Sequence, residues 1–330
     1  MRSHFTLNRG VKAACAVVGA ATMLNGHGSA QTFVAADYAT NSIYSGSWTA
    51  GQNGGHGFGA WSFDGTYDTN NVADPGGQQE MTYSSPIGTA WTLFNLGSAP
   101  AGSGISNVGR AINGGLQPGQ TFETVINNPT IYYFYGGFDI CLLNGTDNNP
   151  AGVNTAAIRM QVFNYFVTSW KVQDGNGSVN THLSDATTGA AGMKVDFTLT
   201  STNTYSLTLT PLSAPTSAYT QAGTLTTNLP INWVNFRLYN GASSGPTDNA
   251  NNYAISSMTI AGINLNIQAI GGNAILSWPT NVPGFYLVSS PSLGAGAIWT
   301  SNSVVPVVIN GQYVATNAIT GSQQYFRLTQ

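Results

Sequence analysis

Apolar and polar residues alternate along short runs of this chain, and clusters of turn-forming residues separate the runs. Met193, Val195, Phe197 and Leu199 fall on one side of a period of two, with Lys194, Asp196 and Thr198 on the other. Tyr205, Leu207 and Leu209 repeat the pattern after a Ser-Thr-Asn-Thr join at 201–204, which reads as a hairpin turn. A period of two sends alternate side chains to opposite faces of a sheet, so these runs are half-buried strands. Helical periodicity is nearly absent, because 40 Gly together with Asn, Thr and Ser break the apolar runs. Further strands are predicted near 58–63, 90–95, 121–127, 131–143, 157–166, 168–173, 231–240 and 253–261. Short alternating strands between turn clusters indicate an all-β sandwich or barrel.

The pattern changes near residue 265. Beyond it the strands shorten and no acidic residue occurs; candidate strands are 274–278, 285–288, 304–309, 312–316 and 324–328. Asn310 and Gly311 lie between two of them, a pair that tolerates the positive φ of a tight hairpin. Residues 31–265 are therefore expected to form one large β-sandwich. Residues 266–330 are expected to form a separate β-module, fibronectin-like in scale. The alternative is that the last strands complete the first sandwich.

The first 30 residues read as a secretory signal. Arg2, Arg9 and Lys12 precede an apolar core at 13–24, too short to span a bilayer, and Gly28, Ser29 and Ala30 supply a small-residue cleavage site. No later apolar run is long enough for a membrane-spanning helix. The expected location is outside the cell or on its surface. Cleavage would remove Cys15 and leave Cys141 without a disulfide partner. Flanked by Ile140, Leu142 and Leu143, Cys141 reads as a buried strand residue.

Charge is scarce. Asp, Glu, Lys and Arg make up 6% of 330 residues, against about 25% in ordinary globular proteins. Of the nine Lys and Arg, three lie in the leader, leaving six against 12 acidic residues. No basic cluster exists to neutralise phosphates, which argues against nucleic acid as a partner.

Several stretches together resemble a known family. They are the Gly-rich run from Trp48 to Trp61, the run from Gly109 and Arg110 to Phe122, the strands at 194–199 and 205–209, and the segment from Asn252 to Ile260. In this order they resemble a charge-poor, secreted branch of the concanavalin A-like lectin/glucanase (laminin-G-like) sandwiches. The resemblance covers residues 40–262. The tail, with Leu276, Ser277, Trp278 and Pro279 and the ending Tyr325, Phe326, Arg327 and Leu328, looks like a terminal module of exported proteins from environmental bacteria. The resemblance implies an antiparallel jelly roll of two curved sheets, with carbohydrate often bound on the concave face. A shared fold does not establish a shared function.

The residues argue against most catalysis. Glycosidases need two carboxylates across the scissile bond, and glucanases of this resemblance typically carry them on one strand as Glu-x-Asp-x-x-Glu. This chain has two Glu, Glu80 and Glu123, neither with an acidic residue two positions away. Asp64 and Asp68 flank a turn. After leader removal His56 and His182 are the remaining histidines, without ligands at metal spacing. The run Gly54 to Gly59 lacks the Lys of a phosphate loop and reads as a tight bend. No catalytic residue is assigned.

One loop invites a calcium reading. Asp174, Asn176, Ser178, Asn180 and Asp185 take positions 1, 3, 5, 7 and 12 of an EF-hand-like spacing, all oxygen donors for a hard cation. Val179 stands where the sharp turn needs Gly, and Asp174-Gly175 and Asn176-Gly177 are equally hairpin-turn pairs. The Asp248 to Asn252 loop is similar and weaker.

Aromatic residues carry the binding argument. In 231–239, Val234, Phe236 and Leu238 make an apolar face opposite Trp233, Asn235, Arg237 and Tyr239. In 158–166, Ile158, Met160 and Val162 oppose Arg159, Gln161, Phe163 and Tyr165. In 132–140, Tyr133, Tyr135 and Asp139 oppose Phe134, Phe138 and Ile140. Trp61, Trp91 and Trp170 read as core. The mixed faces suit sugars, since a ring stacks on pyranose C–H groups while Asn, Gln, Arg and Asp meet hydroxyls. The same positions would also suit a second core layer.

The chain is thus expected to be an exported, non-catalytic glycan-binding sandwich with polysaccharide or a surface glycan as partner. A structural or adhesive surface protein, with self-association, is the alternative. A diverged glycan-active hydrolase comes third.

Overall fold

A computed structural model describes residues 15–19, 33–45, 47–63, 78–85, 87–94, 105–127, 137–145, 157–165, 169–184, 191–239, 252–263, 265–280, 285–294, 296–310, 312–320 and 323–329. Its strands, in chain order, begin with β1 (Cys15–Gly19), β2 (Phe33–Tyr38), β3 (Ser62–Phe63), β4 (Gln78–Ser85), β5 (Gly88–Phe94) and β6 (Ile105–Leu116). They continue with β7 (Thr121–Asn127), β8 (Gly137–Leu143), β9 (Ile158–Tyr165), β10 (Ser169–Asp174) and β11 (Gly177–Ser184). Next come β12 (Met193–Leu199), β13 (Thr204–Pro211), β14 (Tyr219–Thr224), β15 (Ile231–Tyr239) and β16 (Tyr253–Ala261). The last are β17 (Asn266–Ile270), β18 (Asn273–Pro279), β19 (Tyr286–Ser290), β20 (Thr300–Ser301), β21 (Val307–Ile309), β22 (Gln312–Ala318) and β23 (Gln323–Thr329).

The chain divides into two compact units, one formed by Phe33–Ala261 and one by Met1–Thr32 with Gly262–Gln330. The first is an antiparallel jelly-roll sandwich. One sheet runs β11-β10-β9-β8-β15-β6-β3; the other runs β14-β13-β12-β7-β16-β5-β4, with β2 also on β16. Alternation decides the layers. In β12 and β13 every second residue is buried, and Val195 pairs with Leu209 and Phe197 with Leu207 on the inner face. The join at 200–204 closes this hairpin, with Leu199 opposite Tyr205.

Indole rings fill one part of the interior. Trp48 and Trp61 stand 4.9 Å apart, Trp61 and Trp91 5.1 Å, and Trp48 and Trp91 6.1 Å, with Tyr44 5.3 Å from Trp91. Trp170 packs on Phe138 elsewhere in the same core. Trp61, Trp91 and Trp170 are buried, and so is Cys141. The bend at 54–59 lets backbones meet. Gly57 has φ +76°, and a Cβ there would sit 2.4 Å from the Val34 carbonyl oxygen, so only glycine fits.

Among those the sequence predicts, the strands at 121–127, 193–199, 231–240 and 253–261 form as β7, β12, β15 and β16. The one at 58–63 shrinks to Ser62–Phe63 plus an isolated bridge from Phe58 to Ile112. The long β6 has no counterpart among the predicted strands, because Gly109, Gly114 and Gly115 mask its alternation.

The second unit holds two four-stranded antiparallel sheets, β17-β18-β22-β21 and β1-β23-β19-β20. Leu276, Trp278, Leu287, Ala315, Phe326 and Leu328 make its core. Asn310 takes φ +50° at the β21–β22 hairpin, where Ile309 lies opposite Gln312. No described helix is long and apolar enough to cross a membrane.

Candidate functional site

The outer face of the seven-stranded sheet carries the residues singled out for glycan contact. β15 lies between β6 and β8 and buries Val234, Phe236 and Leu238 inward. Its other face meets polar side chains on both neighbours, since Arg237 lies opposite Asp139 and Asn107, and Asn235 opposite Cys141 and Gly109. Gln161 of β9 completes the row opposite Cys141.

These groups form two networks. Arg237 donates to both oxygens of Asp139, through Nε to Oδ1 at 2.8 Å and through Nη2 to Oδ2. Gln161 Nε2 donates to Asp139 Oδ2 at 2.7 Å, and Arg237 Nη2 approaches Cys141 Sγ at 3.5 Å. Beside them, Asn235 Nδ2 donates to Asn107 Oδ1 at 2.5 Å, and Trp233 Nε1 donates to Asn235 Oδ1 at 3.4 Å. A Cβ on Gly109 would lie 2.1 Å from Asn235 Oδ1 and 2.5 Å from Trp233 Nε1, so the missing side chain is what seats both.

Of the two uses these positions suit, glycan contact or a second core layer, burial matches the second for most of them. Asp139, Arg159, Asn235, Arg237 and Gln161 are all buried, the most exposed of them at 5%. A bidentate, hydrogen-bonded Arg–Asp pair is formally neutral, which is how it survives out of water. Trp233 stays half-buried, packed against Cys141, Leu143, Ala157 and Ile158, and Phe163 of β9 is half-buried too. Ile158 was expected with Met160 and Val162. A register shift between Leu142 and Leu143 instead places it in this second, outer cluster. Arg159 donates through Nη2 to the Thr227 carbonyl, while Nε and Nη1 find no partner among the described residues. Burial pulls its pKa below the usual arginine value. Tyr133 and Tyr135 lie outside the described residues, and Tyr165 and Tyr239 are described as strand backbone alone.

The described calcium candidates lie along a hairpin. Residues 174–180 are a two-residue hairpin, with Asp174 opposite Gly177, Gln173 opposite Ser178 and Lys171 opposite Asn180. Strand pairing therefore carries Ser178 and Asn180 progressively away from Asp174 instead of folding them round a centre. Asp174 is already engaged, because Asn176 N–H donates to its Oδ1 at 2.7 Å and Tyr205 OH to its Oδ2 at 2.8 Å. Burial, then the hydrogen bond to Asp174, pushes Tyr205 far up from its usual pKa. Asp185 lies outside the described residues, and no group of three or more His, Cys, Asp or Glu suited to a metal occurs among those described.

Two clusters escaped the sequence reading. Inside the sandwich, Arg110 Nη1 donates to Asp37 Oδ2 at 2.5 Å, Nη2 to Asn53 Oδ1 at 2.6 Å and Nε to the Gly59 carbonyl at 2.9 Å. The Arg110 guanidinium also lies 4.7 Å from the Trp61 ring centroid. On the outer face of the other sheet, Asp196 lies opposite Glu123, and Lys194 Nζ bridges them at 2.8 and 3.3 Å. Glu123 thus gains an acidic neighbour across strands that no spacing along the chain reveals. Asp64 and Asp68 lie outside the described residues, as does the side chain of Glu80.

No protein-family model matches the chain, and no curated protein matches it in sequence. Solved structures overlay on it loosely. One from work on endo-acting O-glycanases of the human gut microbiota is 10% identical, with TM-score 0.42, covering 71% of this chain and 100% of its own. The legume lectin-like domain from Entamoeba histolytica is 10% identical, with TM-score 0.37, covering 61% and 90%. The exoplasmic/lumenal domain of VIP36, in a Ca2+/Man3GlcNAc-bound form, is 10% identical, with TM-score 0.35, covering 62% and 91%. At such values the overlays bear neither on what this chain binds nor on its fold, which is read from its own sheets.

Proposed function

We propose that the protein is an exported, non-catalytic carbohydrate-binding sandwich that recognises polysaccharide outside the cell or on its surface. The observation that carries this reading is Trp233, a half-buried indole seated over Gly109 on the outer sheet face and hydrogen-bonded to the Asn235–Asn107 amide pair. Such a ring offers a stacking face for a pyranose without any demand for net charge, which suits a chain with 6% charged residues. Cys141, Leu143, Ala157 and Ile158 pack against the ring, and the Arg237–Asp139–Gln161 network lies further along the same face. The non-catalytic part of the reading draws on Glu123 and Asp196, whose carboxylates are both tied to Lys194.

The test is a glycan array followed by titration calorimetry on any hit, comparing the parent with Trp233→Ala and Trp233→Phe. Binding lost in the first variant and partly kept in the second supports the reading. Absence of any glycan ligand, or binding indifferent to both variants, ends it.

A structural or adhesive surface protein is the second reading. The burial of Arg237, Asp139 and Asn235 favours it, because a sealed polar layer serves stiffness as well as recognition. So do the exposed aliphatic residues of the second unit, Val305, Val307, Val308 and Ile309 among them.

A further inference from the structure

The second unit has an open strand edge and a strand that is seated on another edge by the leader. β21 hydrogen-bonds to β22 on one side, and no described strand lies along its other side. Val307, Val308 and Ile309 are exposed at 57%, 63% and 50%, and Val305 just before them at 84%. Soluble proteins blunt such edges with Lys or a covering element, because a free row of N–H and C=O groups templates another strand. No Lys, Asp or Glu occurs between Gly262 and Gln330, and Arg327 is the one charge there. Pro306 interrupts the donor row, so pairing would fall to Val307–Ile309.

In the other sheet β23 would become an edge on removal of β1. It pairs with β19 on one side and with β1 on the other, Cys15 opposite Arg327 and Gly19 opposite Gln323. β1 lies within residues 1–30, the segment read as a removed leader. The leader removal expected from the sequence would take away the strand that fills this edge. The departing strand reads Ala16, Val17, Val18 and Gly19, and the open edge of β21 reads Pro306, Val307, Val308 and Ile309. Both are uncharged and centred on paired valines.

We propose that β21 of one processed chain adds to the β23 edge of a second copy, in the place β1 holds before cleavage, so that exported chains assemble head to tail. The occupant is a second copy because donor and acceptor are both built into this chain and β1 shows what kind of strand the acceptor takes. Main-chain hydrogen bonds supply the pairing and the valines the fit. A donor on one edge and an acceptor on another make a heterologous contact, which yields open series of subunits where the rotation does not close. The leader strand thereby keeps the precursor from assembling before export. This inference rests on leader removal and is independent of glycan binding; the two together would raise the avidity of weak sites.

Sedimentation velocity over a concentration range tests it on residues 1–330 and 31–330. The longer chain is expected to stay monomeric and the shorter to form a concentration-dependent series beyond the dimer. In the shorter chain, Val308→Lys is expected to restore the monomer with an unchanged melting temperature. A synthetic peptide of residues 13–21 is expected to cap the series. A processed chain that stays monomeric to its solubility limit, a series untouched by Val308→Lys or by the peptide, or a closed dimer as the end state overturns the proposal. N-terminal sequencing of the exported protein reads the premise separately: a retained leader also overturns the proposal, and does so apart from any failure of strand pairing.

Discussion

Arg110 and Asp37, 73 residues apart in the chain, meet at 2.5 Å with neither side chain reaching solvent. The pair sits between the sheets among Trp61, Phe58 and Tyr44, and Tyr44 OH donates to the same Asp37 oxygen. Burial, then that hydrogen bond, raises the Tyr44 pKa. Asp37→Asn leaves the guanidinium buried without a counter-charge. The expected loss is about 3–5 kcal/mol in urea unfolding. A loss within error of zero would show that Arg110 finds another acceptor.

Gly109→Ala should push Trp233 and Asn235 off their seats, since the added carbon falls 2.1 Å from one and 2.5 Å from the other. A destabilisation of about 1–3 kcal/mol is expected from such overpacking. Any glycan binding should weaken with it. Stability lost with binding intact would separate Trp233 from recognition.

Asp174 serves as an internal acceptor for Tyr205 and the Asn176 amide. Tyr205→Phe is expected to cost about 1–3 kcal/mol, because it strips a buried acceptor of its hydroxyl donor. Melting temperature should not respond to Ca2+ or to chelator. A Ca2+-dependent rise that disappears in Asp174→Ala would overturn this assignment.

The outer triad makes stability depend on pH in two directions. Burial, then a hydrogen bond with Asp196, raises Glu123 above its ordinary 4.5, against the pull of Lys194. A carboxyl with a raised folded pKa holds its proton more tightly when folded, so stability grows as pH falls through that value, and ionisation above it costs stability. Glu123→Gln should therefore be slightly stabilising at neutral pH, by less than about 1 kcal/mol at this half-exposed site, and lose its advantage in acid. Burial lowers Lys194, but Asp196 and then Glu123 outweigh it and leave its pKa raised above 10.5. Its contribution is full below that unfolded value and fades as pH rises through the folded one. Urea midpoints at about pH 4, 7 and 11 read both arms.

The period-two rule placed residues on the correct face wherever a strand was uninterrupted, as in β12, β13 and β15. It put Asp139, Gln161, Asn235 and Arg237 each opposite the apolar face of its own strand, and strand pairing joins them in one layer. It left glycan contact and a second core layer both open, because alternation reports which side a residue faces and not what lies above it. Every residue of β8 is buried, so its two faces differ in chemistry and not in exposure. The Arg110–Asp37 pair and the Glu123–Asp196 contact were illegible because cross-strand register joins residues that share no local spacing. The calcium spacing shows the converse limit. Its intervals suit a loop, and here a two-residue turn spreads the donors along a ladder.

The clustered indoles of Trp48, Trp61 and Trp91 have an optical consequence. Transition dipoles held within 6.1 Å couple, so far-ultraviolet circular dichroism should show a paired positive and negative indole band that vanishes when the rings part. Trp278 and Trp299 belong to the other unit. The jelly roll therefore carries its own spectroscopic label, and its melting can be followed apart from that of the second unit without any added dye.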